Sequence, residues 1–358
     1  MKIINIVGTR PQFIKLAVLS ETIKTYEKIQ SKIIHTGQHF SHFMSDSFFK
    51  QLNIPEPDYH LDINSKTHGE MTGQMLIEIE RILIKEIPDY VIVYGDCNTT
   101  LAGALAASKL HIRVAHVESG LRSFNKQMPE EVNRILVDHI SDLLWVPTEI
   151  GINNLKREGI CGEKVQLTGD LMLELLDKFI DKIKNKGIPK EINTTINLTE
   201  KYYVLTLHRQ ENTIKDRLEK LFSILSQLNH KIIFPIHPRT EKVIQNNKIT
   251  IPSNIYTIES LCYLDMLGLV YNSDLVFTDS GGLQKESIYL ERPTIILRKQ
   301  TEWIENLQTI YGNLISIDDL EIENIYQCIH KSFQKSSNLK ETKHSPSQKI
   351  VGHLLKSN

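Results

Sequence analysis

Short apolar runs alternate with longer amphipathic stretches from one end of the chain to the other. The runs at 3–7, 32–36, 90–94, 114–117, 143–146 and 165–167 predict a first set of strands. Those at 202–207, 232–235, 255–258, 275–277 and 294–297 predict a second. Between them, 98–110, 130–140 and 218–228 carry apolar residues at helical spacing. Strand and helix in regular alternation predict an α/β fold, with parallel sheets covered by helices. The polar stretch 185–200 holds Gly187 and Pro189 and no helical apolar stripe. It predicts a linker or surface excursion and a boundary near 170–200. Ile350, Val351, Leu354 and Leu355 recur at helical spacing near the end, so a terminal helix has to dock somewhere. Two facing α/β halves make a cleft where the carboxyl ends of the strands converge, the edge at which such sheets bind ligands.

Composition narrows the class. The 358 residues are too many for one core and suit two domains. Hydrophobic content of 41% and charged content of 24% are those of an ordinary soluble protein. A formal net charge of −1 speaks against a general nucleic-acid or membrane-surface binder. Cys97, Cys161, Cys262 and Cys328 are scattered, which excludes a disulfide framework and suits a reducing cytoplasm. The first apolar run is too short for a signal peptide, and no stretch is long enough to span a bilayer.

The polar motifs fall just after predicted strands. After 275–277 comes Thr278-Asp279-Ser280-Gly281-Gly282, followed by a helical pattern that includes Glu286. Ser280 can cap that helix, and Gly281 and Gly282 let a ligand approach the backbone. Such a helix start attracts a phosphate or diphosphate. The bland reading is an ordinary capped strand–turn–helix. After 3–7 come Gly8, Arg10, Pro11 and Lys15, where Arg10 and Lys15 could face an anion or simply lie on the surface. Neither a G-x-G-x-x-G fingerprint nor a P-loop is present.

Asp96 follows 90–94, Glu118 follows 114–117, and Glu130 and Glu131 open the next helix. These carboxylates gather at one sheet edge, where mutual repulsion and partial burial raise pKa values toward neutrality. Each alone could be a helix cap or a helix-dipole partner. In the second half His208-Arg209 and His237-Pro238-Arg239 each follow a strand, and two histidines beside arginines favour anion handling. No H-E-x-x-H or D-x-D pattern calls for a metal.

Taken in order, these motifs resemble the non-hydrolysing UDP-N-acetylglucosamine 2-epimerases. The resemblance rests on Gly8-Thr9-Arg10-Pro11 with Lys15, on Gln38-His39, Gly95-Asp96 and His116-Val117-Glu118, and on Gly120-Leu121-Arg122. Pro129-Glu130-Glu131 with Asn133-Arg134, His208-Arg209 and Asp279-Ser280-Gly281-Gly282 complete it. It implies a GT-B architecture: two Rossmann-like domains facing a central cleft, 1–170 completed by a returning helix 345–358, and 171–344. It implies a UDP-sugar substrate, no cofactor, and a homodimer. It assigns Asp96, Glu118 and Glu130 to proton transfer at C2 and His208 to the diphosphate and leaving group. Arg10 and Lys15 become substrate contacts, joined by Gln38, His39, Glu131, Arg134, His237 and Arg239. Ser280, Gly281 and Gly282 take the diphosphate, and Glu286 the ribose.

Some positions depart from the commonest pattern. Gln12 and Lys285 stand where Glu is usual, Trp303 stands for an Arg, and Leu261 and Met266 replace Gln and Phe. The Gln12 and Trp303 variants resemble a subgroup acting on sugars such as UDP-2,3-diacetamido-2,3-dideoxyglucuronate. The competing classes are a GT-B glycosyltransferase, a hydrolysing epimerase and a nucleotide-sugar binding protein without catalysis.

Overall fold

Every predicted apolar run is a strand in the computed structural model, which describes residues 1–38, 48–64, 66–188, 192, 196, 201–333 and 345–357. By packing, the chain divides into Met1–Lys178 with Thr342–Asn358, and Phe179–Glu341. Each unit holds one wholly parallel sheet wrapped by helices, as strand–helix alternation requires.

The first unit contains β1 (Lys2–Val7), β2 (Gln30–His35), β3 (Tyr59–His60), β4 (Tyr90–Tyr94), β5 (Arg113–Val117), β6 (Leu143–Val146) and β7 (Val165–Leu167). Their order is β3-β2-β1-β4-β5-β6-β7. The helices are α1 (Arg10–Ile23), α2 (His68–Glu86), α3 (Asn98–Lys109), α4 (Pro129–Ile140), α5 (Glu149–Arg157) and α6 (Leu171–Lys186), whose residues from Phe179 on belong to the second unit. β1 and β4 are covered on both faces, so Ile3, Ile4, Ile6, Val91 and Val93 are all buried and their alternation disappears. The small side chains of α3, Ala102 and Ala106 among them, let that helix lie close against Ile6 and Val93.

The second unit contains β8 (Tyr202–Thr206), β9 (Lys231–Pro235), β10 (Ile255–Ile258), β11 (Leu275–Thr278), β12 (Thr294–Ile296) and β13 (Gly312–Leu314), in the order β10-β9-β8-β11-β12-β13. Its helices are α7 (Lys215–Leu225), α8 (Pro238–Asn247), α9 (Tyr263–Tyr271), α10 (Gly281–Tyr289) and α11 (Ile322–Phe333). Strand order reverses between β1 and β4 in one sheet and between β8 and β11 in the other. At such a switch point the connections leave in opposite directions and open a crevice at the carboxyl edge.

Strands β3 and β13 are absent from the sequence reading. Both are short edge strands, with His60 exposed and Asn313 and Leu314 half-buried, so neither offers an apolar run to detect. Asn185 and Lys186 of the predicted linker are the last turn of α6. Pro189 and most of the residues up to 200 lie outside the described residues.

The terminal helix α12 (Pro346–Lys356) belongs to the first unit. It buries Ile350, Val351 and Leu354. Glu174 accepts from the Ser347 amide at 2.8 Å and from its hydroxyl at 2.7 Å. Trp145 Nε1 donates to His353 Nδ1 at 3.1 Å, so His353 Nε2 carries the proton given to the Glu163 carbonyl at 2.9 Å.

At the end of α2, Glu86 is buried and pairs with Lys2 at 2.8 Å, with Lys32 at 2.9 Å and with the Tyr59 hydroxyl. The Lys2, Tyr59 and Lys32 contacts lower its carboxyl to about 2. A carboxyl more acidic in the folded than in the unfolded chain stabilises the fold above its unfolded pKa of 4.5, and that contribution fades toward about 2. Glu86→Gln is therefore expected to lower stability at neutral pH and flatten the acid limb between those two values. Denaturant titrations across pH check this, and superimposable limbs for the two proteins refute it.

Candidate active site

Four of the predicted residues of the first unit come together where β1, β4 and β5 end. Gly8 and Thr9 leave β1, and Pro11 opens α1 within its first turn. That start brings Lys15, 4% exposed at its side chain, into an ion pair with Glu118. Asp96 follows β4, and its carboxylate receives Arg134 Nη1 of α4 at 2.5 Å. Cys97, not Asp96, occupies the cap position of α3, so Asp96 is no helix cap. Gly95 lies against the Lys15–Glu118 pair: a Cβ there would sit 3.3 Å from Glu118 Oε2 and 3.6 Å from Lys15 Nζ. Asp96 and Glu118 thus flank the same turn, each held by a buried cation.

The other first-unit residues have distinct places. Glu130 is half-buried in the first turn of α4, with no hydrogen bond or ion pair among the described residues. Glu131 turns inward. Its carboxylate accepts from the Ser123 amide at 2.9 Å, the Phe124 amide at 2.8 Å and Arg134 Nε at 3.0 Å. Burial pushes its carboxyl up, but the Ser123 amide and Arg134 outweigh that and leave it below the usual range. Arg134 thereby links Glu131 to Asp96. Gln38 Oε1 accepts from the Thr99 amide and hydroxyl, both at 2.9 Å, and so covers the start of α3. Arg10 lies 5.7 Å over the Phe48 ring, and burial lowers its pKa. His39 lies outside the described residues.

The second unit gathers its candidates at the ends of β8, β9 and β11. Ser280 Oγ caps α10 by accepting from the Leu283 amide at 3.3 Å. The Gly281 and Gly282 amides ahead of it have no protein acceptor among the described residues, and a helix start of this kind attracts an anion. Glu286, one turn on, is buried and accepts from the Tyr263 hydroxyl at 2.8 Å. Asp279 is fully buried and receives the amides of His208 at 3.1 Å and Arg209 at 3.0 Å, with the His208 ring at 3.0 Å. Burial raises the Asp279 carboxyl, but the His208 ring and the Arg209 amide outweigh it, leaving it ionised and more acidic than usual. Asp279 therefore sets both the loop and the ring orientation of His208. His237 caps α8 at 3.2 Å from the Arg239 amide, and its ring centroid is 6.0 Å from that of His208. Arg239 Nη1 donates to the His208 carbonyl at 3.3 Å.

The family model described as UDP-N-acetylglucosamine 2-epimerase matches residues 21–351. The chain belongs to this family. It is 47% identical over 332 residues to a UDP-N-acetylglucosamine 2-epimerase homolog of Methanococcus maripaludis, covering 91% of this chain and 92% of that one. It is 44% identical over 350 residues to the UDP-2,3-diacetamido-2,3-dideoxy-D-glucuronate 2-epimerase of Pseudomonas aeruginosa, covering 95% of each. The crystal structure of Methanocaldococcus jannaschii UDP-GlcNAc 2-epimerase in complex with UDP-GlcNAc and UDP matches with a TM-score of 0.89 and 41% identity, covering all of both chains. The fold is accordingly the GT-B type, with two Rossmann-like units and a last helix that returns to the first. Members of this family are isomerases of nucleotide sugars.

Three departures from the usual family pattern acquire physical reasons. Gln12 is buried and uses both ends of its amide: Oε1 accepts from the Gly8 amide at 2.7 Å, while Nε2 donates to the Tyr94 carbonyl at 2.8 Å. A carboxylate there would have no proton for that carbonyl. Lys285 and Trp303 depart together and meet, with Lys285 Nζ 3.5 Å from the Trp303 ring centroid and both side chains buried. Trp303→Arg would set a second cation beside Lys285, and is expected to cost about 2–4 kcal/mol. Adding Lys285→Glu should recover a large part of that loss. A double-mutant cycle read by denaturant unfolding measures the coupling, and strictly additive effects refute it. No spacing in the chain signals Asp279, His116 or Asp138, because each acts on backbone distant along the chain.

Proposed function

We propose that this protein is a non-hydrolysing UDP-N-acetylglucosamine 2-epimerase that inverts C2 to give UDP-N-acetylmannosamine. The observation that carries this is the placement of Asp96 and Glu118 beside one turn at the β1/β4 switch point, each matched to a cation. The C2 hydrogen of such a sugar has no neighbouring carbonyl and is not acidic. Departure of UDP from C1 builds positive charge there and makes that proton removable, leaving a bound glycal. UDP then adds back after a proton reaches the opposite face of C2. Asp96, Glu118 and Glu130 supply the proton transfers. His208 stabilises the leaving diphosphate, which the Ser280-Gly281-Gly282 helix start receives, and Glu286 takes the ribose hydroxyls. Arg10, Lys15, Gln38, His39, Arg134, His237 and Arg239 contact substrate, with Glu131 acting through the 123–124 turn. The chemistry needs no cofactor.

Incubation with UDP-N-acetylglucosamine in D₂O tests this. Deuterium appears at C2 of both epimers as equilibrium is reached. Transfer to an acceptor without C2 exchange would instead show a glycosyltransferase, and stoichiometric free UDP a hydrolysing enzyme. A parallel arm with UDP-2,3-diacetamido-2,3-dideoxyglucuronate tests the second reading, which the similarity to the Pseudomonas enzyme and the Gln12 and Trp303 variants support.

We read the chain as a cytoplasmic homodimer serving polysaccharide synthesis, since its product is an activated N-acetylhexosamine. Its cysteines are free, as a reducing compartment requires. Ile77 and Ile84 of α2 and Val132 and Leu136 of α4 are 40–57% exposed, on helices that each pack against α3. Exposed apolar side chains grouped in this way suit a protein interface. Light scattering giving twice the chain mass supports the dimer, and the mass of one chain overturns it.

A further inference from the structure

A buried chain of ionic hydrogen bonds runs beneath the two carboxylate-bearing turns of the first unit. His116 of β5 and Asp138 of α4 are fully buried, and Arg122 is 1% exposed. Asp138 Oδ1 meets His116 Nδ1 at 2.7 Å, and Oδ2 accepts from Arg122 Nη1 at 2.7 Å. Arg122 then reaches Glu158, at the end of α5, as a two-pronged pair with both contacts at 2.7 Å. Burial drives the Asp138 carboxyl up, but His116 and Arg122 outweigh it and keep it acidic.

The chain of contacts ends on backbone at two places. His116 Nε2 lies 2.7 Å from the Gly95 carbonyl, directly before Asp96. Asp138 Oδ2 accepts from the Gly120 amide at 3.0 Å, two residues past Glu118. Both places are turns in the left-handed region, with φ of +62° at Gly95, +71° at Glu118 and +80° at Gly120. Glu118 carries a side chain there, a strained conformation that persists only where surrounding contacts impose it. Lys15 pairs with the Glu118 carboxylate, but that contact does not set the backbone.

We propose that His116, with Asp138, Arg122 and Glu158 behind it, is a positioning residue that fixes the turns bearing Asp96 and Glu118 in register with each other. One ring grips the turn before Asp96, and the acid it pairs with grips the turn after Glu118, so the two acid–base groups are set by a single rigid unit. This rests on the reading of those two residues as acid–base groups. A displacement of about 1 Å at such a group costs on the order of 10²-fold in rate.

The test compares His116→Phe, which keeps a ring and removes both contacts, with His116→Gln, whose amide can still donate to the Gly95 carbonyl. For His116→Phe we expect kcat for C2 deuterium exchange to fall by about 10–100-fold, with KM and the Kd for UDP within about threefold of wild type. His116→Gln should recover most of the loss. A folded His116→Phe enzyme with wild-type kcat, or two variants that fall alike, overturns the proposal. If His116→Phe does not fold, Glu158→Gln at the half-exposed end of the chain decides, a lower kcat with UDP binding intact supporting the proposal and an unchanged kcat overturning it. Absence of exchange in the wild-type enzyme would instead refute the epimerase reading itself.

Discussion

Asp96→Asn, Glu118→Gln and Glu130→Gln are each expected to lower turnover by about 10²–10⁴-fold, the usual contribution of a positioned acid or base. UDP affinity should change little, because the groups assigned to the nucleotide belong to the other sheet. The three variants should differ in stability. Asp96→Asn removes one partner of Arg134, which is 2% exposed, and Glu118→Gln removes the ion-pair partner of Lys15, which is 4% exposed. A buried cation left unmatched destabilises, so Glu118→Gln should unfold at lower denaturant, while Asp96→Asn should lose less because Arg134 keeps its pair with Glu131 at 3.0 Å. Glu130 has no hydrogen-bonding or ionic partner among the described residues, so Glu130→Gln should lose turnover with its unfolding midpoint unchanged. Single-turnover rates, UDP calorimetry and urea titrations separate these effects. Near-full activity in all three would dismiss the acid–base assignment.

Gly120→Ala is expected to destabilise the first unit strongly. Gly120 has φ of +80°, and a Cβ there would lie 2.6 Å from the Gly151 carbonyl oxygen and 2.9 Å from its carbon. Backbone cannot rotate aside as a flexible side chain can, so α5 would have to move away from the turn. Left-handed strain of about 1 kcal/mol adds to an overpacking cost of about 1–3 kcal/mol. Turnover should fall as well, because the Gly120 amide anchors the turn after Glu118. Gly159→Ala provides the control. It shares the positive φ, at +77°, but nothing lies within 4 Å of the added carbon, so its cost should be the backbone strain alone. Equal losses at the two positions would show that close packing at Gly120 carries no weight.

Much of the site was legible because its signals are local. Ser280 caps α10 as its place after an apolar run predicts, and Pro11 opens α1. What each polar residue contacts was less legible. Glu130 and Glu131 are adjacent and chemically alike, yet one is left half-buried in the first turn of α4 and the other is drawn inward by two amides and Arg134. Helical rotation separates neighbours by about 100°, and where each then points depends on the loop that folds over the helix. Asp279 reads as one letter of a phosphate-binding turn, but its carboxylate organises the His208 loop of another strand.

By itself the sequence determined the alternation of strand and helix, the caps and turns that place polar residues at strand ends, and the family to which the motifs belong. Those features depend on contacts within a few residues, and apolar runs and capping side chains report them directly. Tertiary structure decided the strand order that sets β1 beside β4 and β8 beside β11, and with it which strand ends share a crevice. It also chose the charge partners, joining Lys15 to Glu118 across 103 positions and Arg134 to Asp96 across 38. Pairings over such distances arise from how sheets and helices pack, and local pattern carries no trace of them.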